Sequence, residues 1–116
     1  MGDGYYDDPC CDVGETIFDS GAARHLIAEK YAKQFSHYID KLDQVIPLTT
    51  VAGPWSCDSS FHYRNGASGA TVDALVLPDT PTVLSMGILV IRDKWHFEWP
   101  AGSYAPFAVK PDGSIV

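Results

Sequence analysis

The sequence predicts an α+β fold: one long N-terminal amphipathic helix packed on a curved antiparallel sheet of four to six strands. Two patterns predict it. Apolar residues recur at steps of three and four through residues 20–44, and beyond them short strand-like runs are separated by Gly- and Pro-rich turns. The 116-residue length suits one core. We therefore expect a flexible acidic tail at 1–15 and a single α+β domain at 16–116.

The predicted helix follows one apolar stripe. Asp19 or Ser20 would supply its N-cap, and Pro47 would end it at or before the preceding residue. The members of the stripe share one helical face: Ala23, Ile27, Tyr31, Phe35, Tyr38, Leu42 and Ile46. This face would cover the sheet.

A first β-hairpin is predicted from residues 60–64 and 70–77, because both runs alternate and a Gly-rich segment separates them. A six-residue loop at 65–70 would gather the apolar side chains on one face. A tight turn at Asn65-Gly66 would shift this register, and the longer loop is favoured because it buries more.

The polar face of this hairpin holds the first candidate site. The register places His62 opposite Asp73, with Arg64 on the same face. A carboxylate beside a histidine favours the imidazolium and can orient a proton transfer, so His62 and Asp73 are candidate catalytic residues. Arg64 is a candidate ligand-pocket residue.

A second hairpin is predicted from residues 82–91 and 94–99. Alternation places Trp95, Phe97 and Trp99 on one face, which we expect to be core, with the first two packed near the helix. A further short hairpin is expected at 107–116.

The opposite face of the second hairpin is the second candidate site. His96 would lie opposite Leu89, and Glu98 opposite Gly87, where the missing side chain leaves room for a ligand or a second backbone. His96 and Glu98 are candidate catalytic residues, and Leu89 and Gly87 are candidate pocket residues. The competing interpretations are a subunit interface and a plain exposed surface.

The run GILVIRDKWHFEW at 87–99 resembles the late hairpin of NTF2-like (SnoaL-type) domains, in which a strand, a charged turn and a Trp-containing strand follow one another. The resemblance implies a cone between helix and sheet that holds small ligands, with His, Asp or Tyr inside it in catalytic members. It covers 13 residues and serves as an architectural analogue only.

Composition limits the partners. The formal net charge is −7, and residues 1–15 supply five carboxylates without a Lys or Arg, so the remainder is close to neutral. The chain lacks a basic stripe and a long apolar run, which predicts no nucleic-acid or membrane partner. With no secretory leader recognisable, the expected location is the cytoplasm.

The cysteines predict no metal site. Cys10, Cys11 and Cys57 are odd in number, and the first two are adjacent, which fits reduced thiols. Their spacing lacks the usual zinc-ligand pattern, so neither a metal ion nor another cofactor is expected. No nucleophile elbow, P-loop, dinucleotide fingerprint or H-E-x-x-H motif occurs either.

Three functions follow as hypotheses. The first is a non-enzymatic binding domain, self-associating as a homodimer through the half-apolar sheet face and open to a small-molecule or protein ligand. The second is a small-molecule hydrolase or isomerase that uses a His and carboxylate pair. The third is an inhibitor or immunity-type protein whose acidic tail attracts a basic partner. An enzyme is less expected than a binding domain.

Overall fold

The structure, a computed structural model, describes residues 10–11, 13–50 and 53–116. Within them the chain is built mainly of β-strands, joined by short helices. The strands are β1 Cys10–Cys11, β2 Thr16–Asp19, β3 Leu26–Ala28, β4 Ile39–Thr50, β5 Gly53–Asn65, β6 Thr71–Leu77, β7 Thr82–Ser85, β8 His96–Glu98 and β9 Phe107–Val109. The helices are α1 Glu29–Ala32, a 3-10 helix Lys33–Tyr38 and α2 Met86–Ile91.

Among the described residues, β1 to β7 form one mixed sheet in the order β1-β5-β6-β3-β7-β2, with β4 also paired to β5. The pairs β4/β5 and β5/β6 are antiparallel, whereas β1/β5, β2/β7 and β3/β6 are parallel. Strands β8 and β9 form a separate antiparallel pair. Strand β2 therefore lies at one edge of the main sheet.

The predicted fold class is wrong, because the described residues 20–44 do not form one long helix and the main sheet is mixed. Helix α1 and the 3-10 helix together end at Tyr38, and Phe35 within them has non-helical φ and ψ of −131° and 56°. The following residues extend as β4, where β-branched side chains favour a strand and the ladder with β5 satisfies the backbone. The NTF2-like cone, which needs the long helix, is therefore also wrong.

The apolar stripe still faces hydrophobic cores, although its backbone is not one helix. Ile27 is fully buried in the larger core, and Phe35 and Tyr38 pack against that core. Leu42 and Ile46 pack on a smaller core around Cys57, Leu75 and Leu77. The pairing of β4 with β5 shifts in register between Lys41 and Ile46. Leu42 and Ile46 therefore both face inward although they are four residues apart, which is also the spacing of a helical face.

The first hairpin is confirmed. The pairs Phe61/Ala74, His62/Asp73, Tyr63/Val72 and Arg64/Thr71 have the predicted register. Asn65 closes the loop: its side-chain Oδ1 accepts from the Ser68 backbone N–H and from Ser68 Oγ, both at 2.9 Å. Its Nδ2 donates to Thr16 Oγ1 at 3.1 Å, which ties the loop to β2.

The second predicted hairpin is wrong. Strand β7 stops at Ser85, whose Oγ accepts from the Ile88 N–H at 3.2 Å and caps α2. The chain leaves α2 through Lys94 at φ 62°, and β8 pairs with β9 instead of β7. The alternating run was compatible with a helix as well, since short apolar runs do not distinguish the two.

The aromatic face of β8 is only partly core. Trp95 is buried at 7% exposure and joins the larger core, against which Phe97, Phe35 and Tyr38 pack. Trp95 and Phe97 both contact Phe18, with ring centroids 6.3 and 5.5 Å away. The expectation for Trp99 is wrong, because its side chain is 67% exposed.

The two ends of the chain were predicted as a tail and a hairpin. The C-terminal hairpin is present: the Gly113 N–H donates to Lys110 O, and Val116 and Ala108 exchange backbone hydrogen bonds. Residues 1–9 and Asp12 lie outside the described residues. Val13 is buried in the larger core. The division into tail and domain stays a prediction.

Candidate active site

Asp19 ends the edge strand β2 with its carboxylate held in a tight turn. Oδ1 accepts the backbone N–H of Gly21 at 2.8 Å, and the Ala22 N–H reaches Asp19 O at 3.4 Å. A Cβ on Gly21 would lie 3.4 Å from Oδ1, so glycine allows this close approach. Residues 19–22 are named the aspartate loop. The loop presents a carboxylate that is fixed in direction and half-buried.

Ser85 fastens the aspartate loop to the junction of β7 and α2. In the parallel register Asp19 lies opposite Ser85. Ser85 Oγ donates to Ala22 O at 2.7 Å and accepts from the Ile88 N–H at 3.2 Å. Because both protein partners of this hydroxyl are backbone groups, the serine acts as a tether, and its oxygen is not poised as a nucleophile.

His25 also contacts the junction of β7 and α2, through the backbone of Ser85. It is buried at 1% exposure, its Nδ1 accepts the Ser85 backbone N–H at 2.9 Å, and its carbonyl accepts from the Leu75 N–H at 2.9 Å. Burial lowers the pKa of His25, the Arg92 charge lowers it further, and the carboxylates of Asp93 and Asp73 oppose both. No hydrogen bond reaches Nε2 from the described residues.

An apolar groove of about 420 Å³ borders the aspartate loop. We call it the α2 groove; it is lined by Ala22, Ala23, Ser85, Gly87, Ile88, Ile91 and Arg92. Ile91 is 75% exposed and its neighbour Val90 43% exposed. Such exposed aliphatic side chains at a groove are typical of a contact surface.

The predicted candidates His96 and Glu98 lie side by side on β8. His96 Nε2 is 3.6 Å from Glu98 Oε1, and the two side chains are 64% and 55% exposed. A side-chain contact as exposed as this one contributes little to stability. Their catalytic assignment stays a prediction.

His62 and Asp73 are brought together, because they face each other across β5 and β6 as expected. Asp73 is exposed, His62 is half-buried and Arg64 is exposed. The register is that of a cross-strand pair on a sheet surface. The roles of His62, Asp73 and Arg64 stay predictions.

Gly87 and Leu89 do not lie opposite Glu98 and His96, because helix α2 replaces the predicted strand. Gly87 lines the α2 groove, whereas Leu89 is fully buried in the larger core. The physical argument that made them pocket residues is therefore lost.

Sequence reasoning missed the aspartate loop and its two supports, His25 and Ser85. The available signal was Asp19-Ser20-Gly21 directly after the strand-like run TIF, which is turn chemistry at a strand end. Asp and Ser are also preferred at helix N-caps, so this signal alone does not distinguish a turn from a helix start. The partnership with Ser85, sixty residues from His25, has no local signal.

No group of three His, Cys, Asp or Glu side chains within the described ranges is arranged to hold a metal ion. Cys57 is a buried free thiol whose Sγ lies 3.2 Å from Ser59 O and 3.3 Å from Val76 O. The side chains of Cys10 and Cys11 are outside the description. The helices in the described segments are all too short or too polar to cross a membrane.

No protein-family model matches the chain, and no curated protein is similar enough to count as a match.

Proposed function

We propose that the chain is a peptide hydrolase that works as a symmetric homodimer, with Asp19 from each copy forming the catalytic pair. The observation that carries this proposal is the half-buried Asp19 carboxylate, fixed by the Gly21 N–H at 2.8 Å on a loop tethered to Ser85. Rigidity matters because a catalytic group must be held close to its working geometry before the substrate arrives.

One carboxylate is insufficient for this chemistry. Hydrolysis of an amide needs a base that takes a proton from water and an acid that protonates the departing nitrogen. Among the described residues, the Asp19 carboxylate is hydrogen-bonded to the Gly21 N–H and to no titratable side chain. A twofold axis beside the aspartate loop supplies a second Asp19 without any further residue.

Symmetry also favours one class of reaction. Two identical carboxylates in contact cannot both be ionised easily, so they share one proton, which is the arrangement of aspartic proteases. Glycosidases instead need an acid and a nucleophile in different environments, which identical copies do not provide. The symmetric pair therefore fits peptide cleavage better than glycoside cleavage.

The steps follow from the shared proton. The ionised Asp19 takes a proton from a water molecule, the water oxygen bonds to the peptide carbonyl carbon, and the protonated Asp19 of the second copy donates to the carbonyl oxygen. When the carbon–nitrogen bond of this tetrahedral intermediate breaks, the protonated Asp19 donates its proton to the nitrogen, and the ionised Asp19 takes the proton of one hydroxyl, whose oxygen becomes the carbonyl oxygen of the new carboxyl group. Water is consumed, the two peptides leave, and the pair regains one shared proton.

The α2 groove supports self-association at this place. Ala22 belongs both to the aspartate loop and to the groove, and the exposed Ile91 and Val90 lie on the adjoining helix. We assign the groove to a second copy of this chain, because the active site is incomplete without one. This replaces the sheet face at 82–99 as the contact surface, since that hairpin does not form.

A cleavage assay tests the function. The chain is incubated with a mixture of peptides of diverse sequence between pH 4 and 7, and new termini are identified by mass spectrometry. We expect cleavage by the wild type, a loss of at least about a thousandfold in Asp19→Asn, and near wild-type activity in the exposed control Asp79→Asn.

Two outcomes would overturn the proposal: no cleavage of any peptide by folded, dimeric wild type, or equal activity in Asp19→Asn. Loss of activity in Asp73→Asn with Asp19→Asn active would favour the His62 and Asp73 pair instead. A folded dimer without hydrolytic activity would favour the non-enzymatic binding domain, which the exposed aliphatic residues of α2 also support.

A further inference from the structure

The aspartate loop is connected to the rest of the fold through a short chain of hydrogen bonds centred on Ser85. Its Oγ holds Ala22 O at 2.7 Å, and its backbone N–H is held by His25 Nδ1 at 2.9 Å. The carbonyl of His25 is itself bonded to the Leu75 N–H in β6. His25 thus contacts β6 through its backbone carbonyl and Ser85, the residue that tethers the loop, through its imidazole.

The direction of the Ser85 bond determines the state of the imidazole. A backbone N–H can only donate, so Nδ1 must carry its lone pair and the ring must be neutral, with its proton on Nε2. A protonated ring would place an N–H at Nδ1 directly against the Ser85 N–H. The observed geometry and a charged His25 are therefore incompatible.

We propose that His25 is a positioning residue that keeps the aspartate loop in its working shape only while the imidazole is neutral, and that protonation of His25 releases the loop. The inference depends on the proposed role of Asp19 for its catalytic meaning. The contact between His25 and Ser85 stands independently of that role.

The charged groups around His25 act in both directions. Arg92, at the end of α2, disfavours a second positive charge, while Asp93 beside it and Asp73 on β6 favour the imidazolium. Arg92 is itself paired with Asp93 at 2.9 and 3.0 Å, which weakens the influence of both. Burial is the largest influence, and it lowers the pKa below the ordinary 6.5.

Two substitutions separate the role of His25 as hydrogen-bond acceptor for the Ser85 N–H from the protonation of its imidazole. In His25→Asn the amide Oδ1 takes the place of Nδ1 and accepts from Ser85 without titrating. In His25→Gln the amide reaches the place of Nε2 and leaves the Ser85 N–H unpaired. The two variants have the same side-chain chemistry and differ by one methylene, so each is the control for the other.

The measurement is the Ser85 backbone amide resonance in an NMR pH titration of the full chain. We expect it to move in the wild type with a midpoint below 6.5, and to stay in place in His25→Asn. In the cleavage assay, the ratio of the rate at pH 5 to the rate at pH 7 should be higher in His25→Asn than in the wild type. His25→Gln should be slowed at all pH values.

A Ser85 amide that does not titrate in the wild type between pH 4 and 8 would overturn the inference, and so would an identical titration in His25→Asn. If the amide behaves as expected but no peptide is cleaved, the proposed function fails while the positioning role of His25 stands. If peptides are cleaved and the Ser85 amide does not titrate, the positioning role of His25 fails while the proposed function stands.

Discussion

Replacing Trp95 with alanine should remove a large part of the stability of the fold, whereas the same change at Trp99 should not. Trp95 is 7% exposed, contacts Phe18 and Phe97 with centroid distances of 6.3 Å each, and has Lys110 Nζ 5.6 Å from its ring. Trp99 is 67% exposed and donates from Nε1 to Ser103 O at 3.0 Å. The pair is matched in chemistry and separated by four residues.

The magnitude follows from the buried area. A tryptophan buries up to about 250 Å², which at about 25 cal/mol per Å² is about 6 kcal/mol as an upper limit. Unfolded chains already bury part of this area, so Trp95→Ala should lower the free energy of unfolding by about 3–5 kcal/mol. Trp99 buries about a third as much and is bonded at the surface, so Trp99→Ala should lower it by about 1 kcal/mol or less.

The assay is urea denaturation monitored by far-UV circular dichroism at one fixed protein concentration, because a dimer makes stability depend on concentration. Equal losses in the two variants would refute the burial argument. A loss below about 1 kcal/mol for Trp95→Ala would show that Trp95 is not a core residue.

Three further changes test other parts of the fold. Lys94→Gly should raise the free energy of unfolding by about 1 kcal/mol, because Lys94 has φ 62° where glycine is unstrained; a decrease in a urea melt would contradict this. Asn65→Ala should lower it by at least about 2 kcal/mol, since it strips buried bonds from Ser68 and Thr16; an unchanged urea midpoint would disprove the anchoring role. Folding lowers the pKa of His25, so as the pH falls the unfolded chain takes up the proton before the folded chain does. The free energy of unfolding should therefore decline below about pH 6.5, by at most about 1.4 kcal/mol per pH unit. His25→Asn should lack that decline, and an equal slope in thermal melts of both proteins would exclude His25 as its source.

Alternation over short range predicted the parts of the fold that local sequence controls. The β5/β6 hairpin came out in register because a one-residue slip would expose Phe61 and Tyr63, both fully buried. The inward direction of Trp95 and Phe97 followed from the same period. Such patterns need no information from distant residues.

The prediction of a helix at 20–44 failed because its apolar stripe packs against two separate cores. The backbone reaches both through a kink at Phe35 and a register shift in β4. Steps of three and four residues arise equally from a helix and from a strand with a bulge, and only the β5 partner decides between them. The strand at 82–91 failed for a similar reason, since Ser85 offers a cap only once Ile88 has turned back toward it.

The candidate site could be predicted even less. His96 and Glu98 share one face of β8, and His62 faces Asp73 across β5 and β6, but titratable pairs of this kind also occur on plain exposed strands. No titratable residue is adjacent to Asp19 in the sequence. The position of its loop depends on Ser85, which lies opposite Asp19 only because β2 and β7 pair in parallel. Parallel contacts between distant segments leave no periodic trace in the sequence.

The pairing of Asp19 carboxylates from two copies in one active site is the central claim, and its most direct measurement is the cleavage activity of mixtures of wild type and Asp19→Asn. A mixed dimer keeps only one Asp19, so after subunit exchange the activity should fall with the square of the wild-type fraction at constant total concentration. A fall in simple proportion to the wild-type fraction would show that one Asp19 suffices, and it would contradict the account.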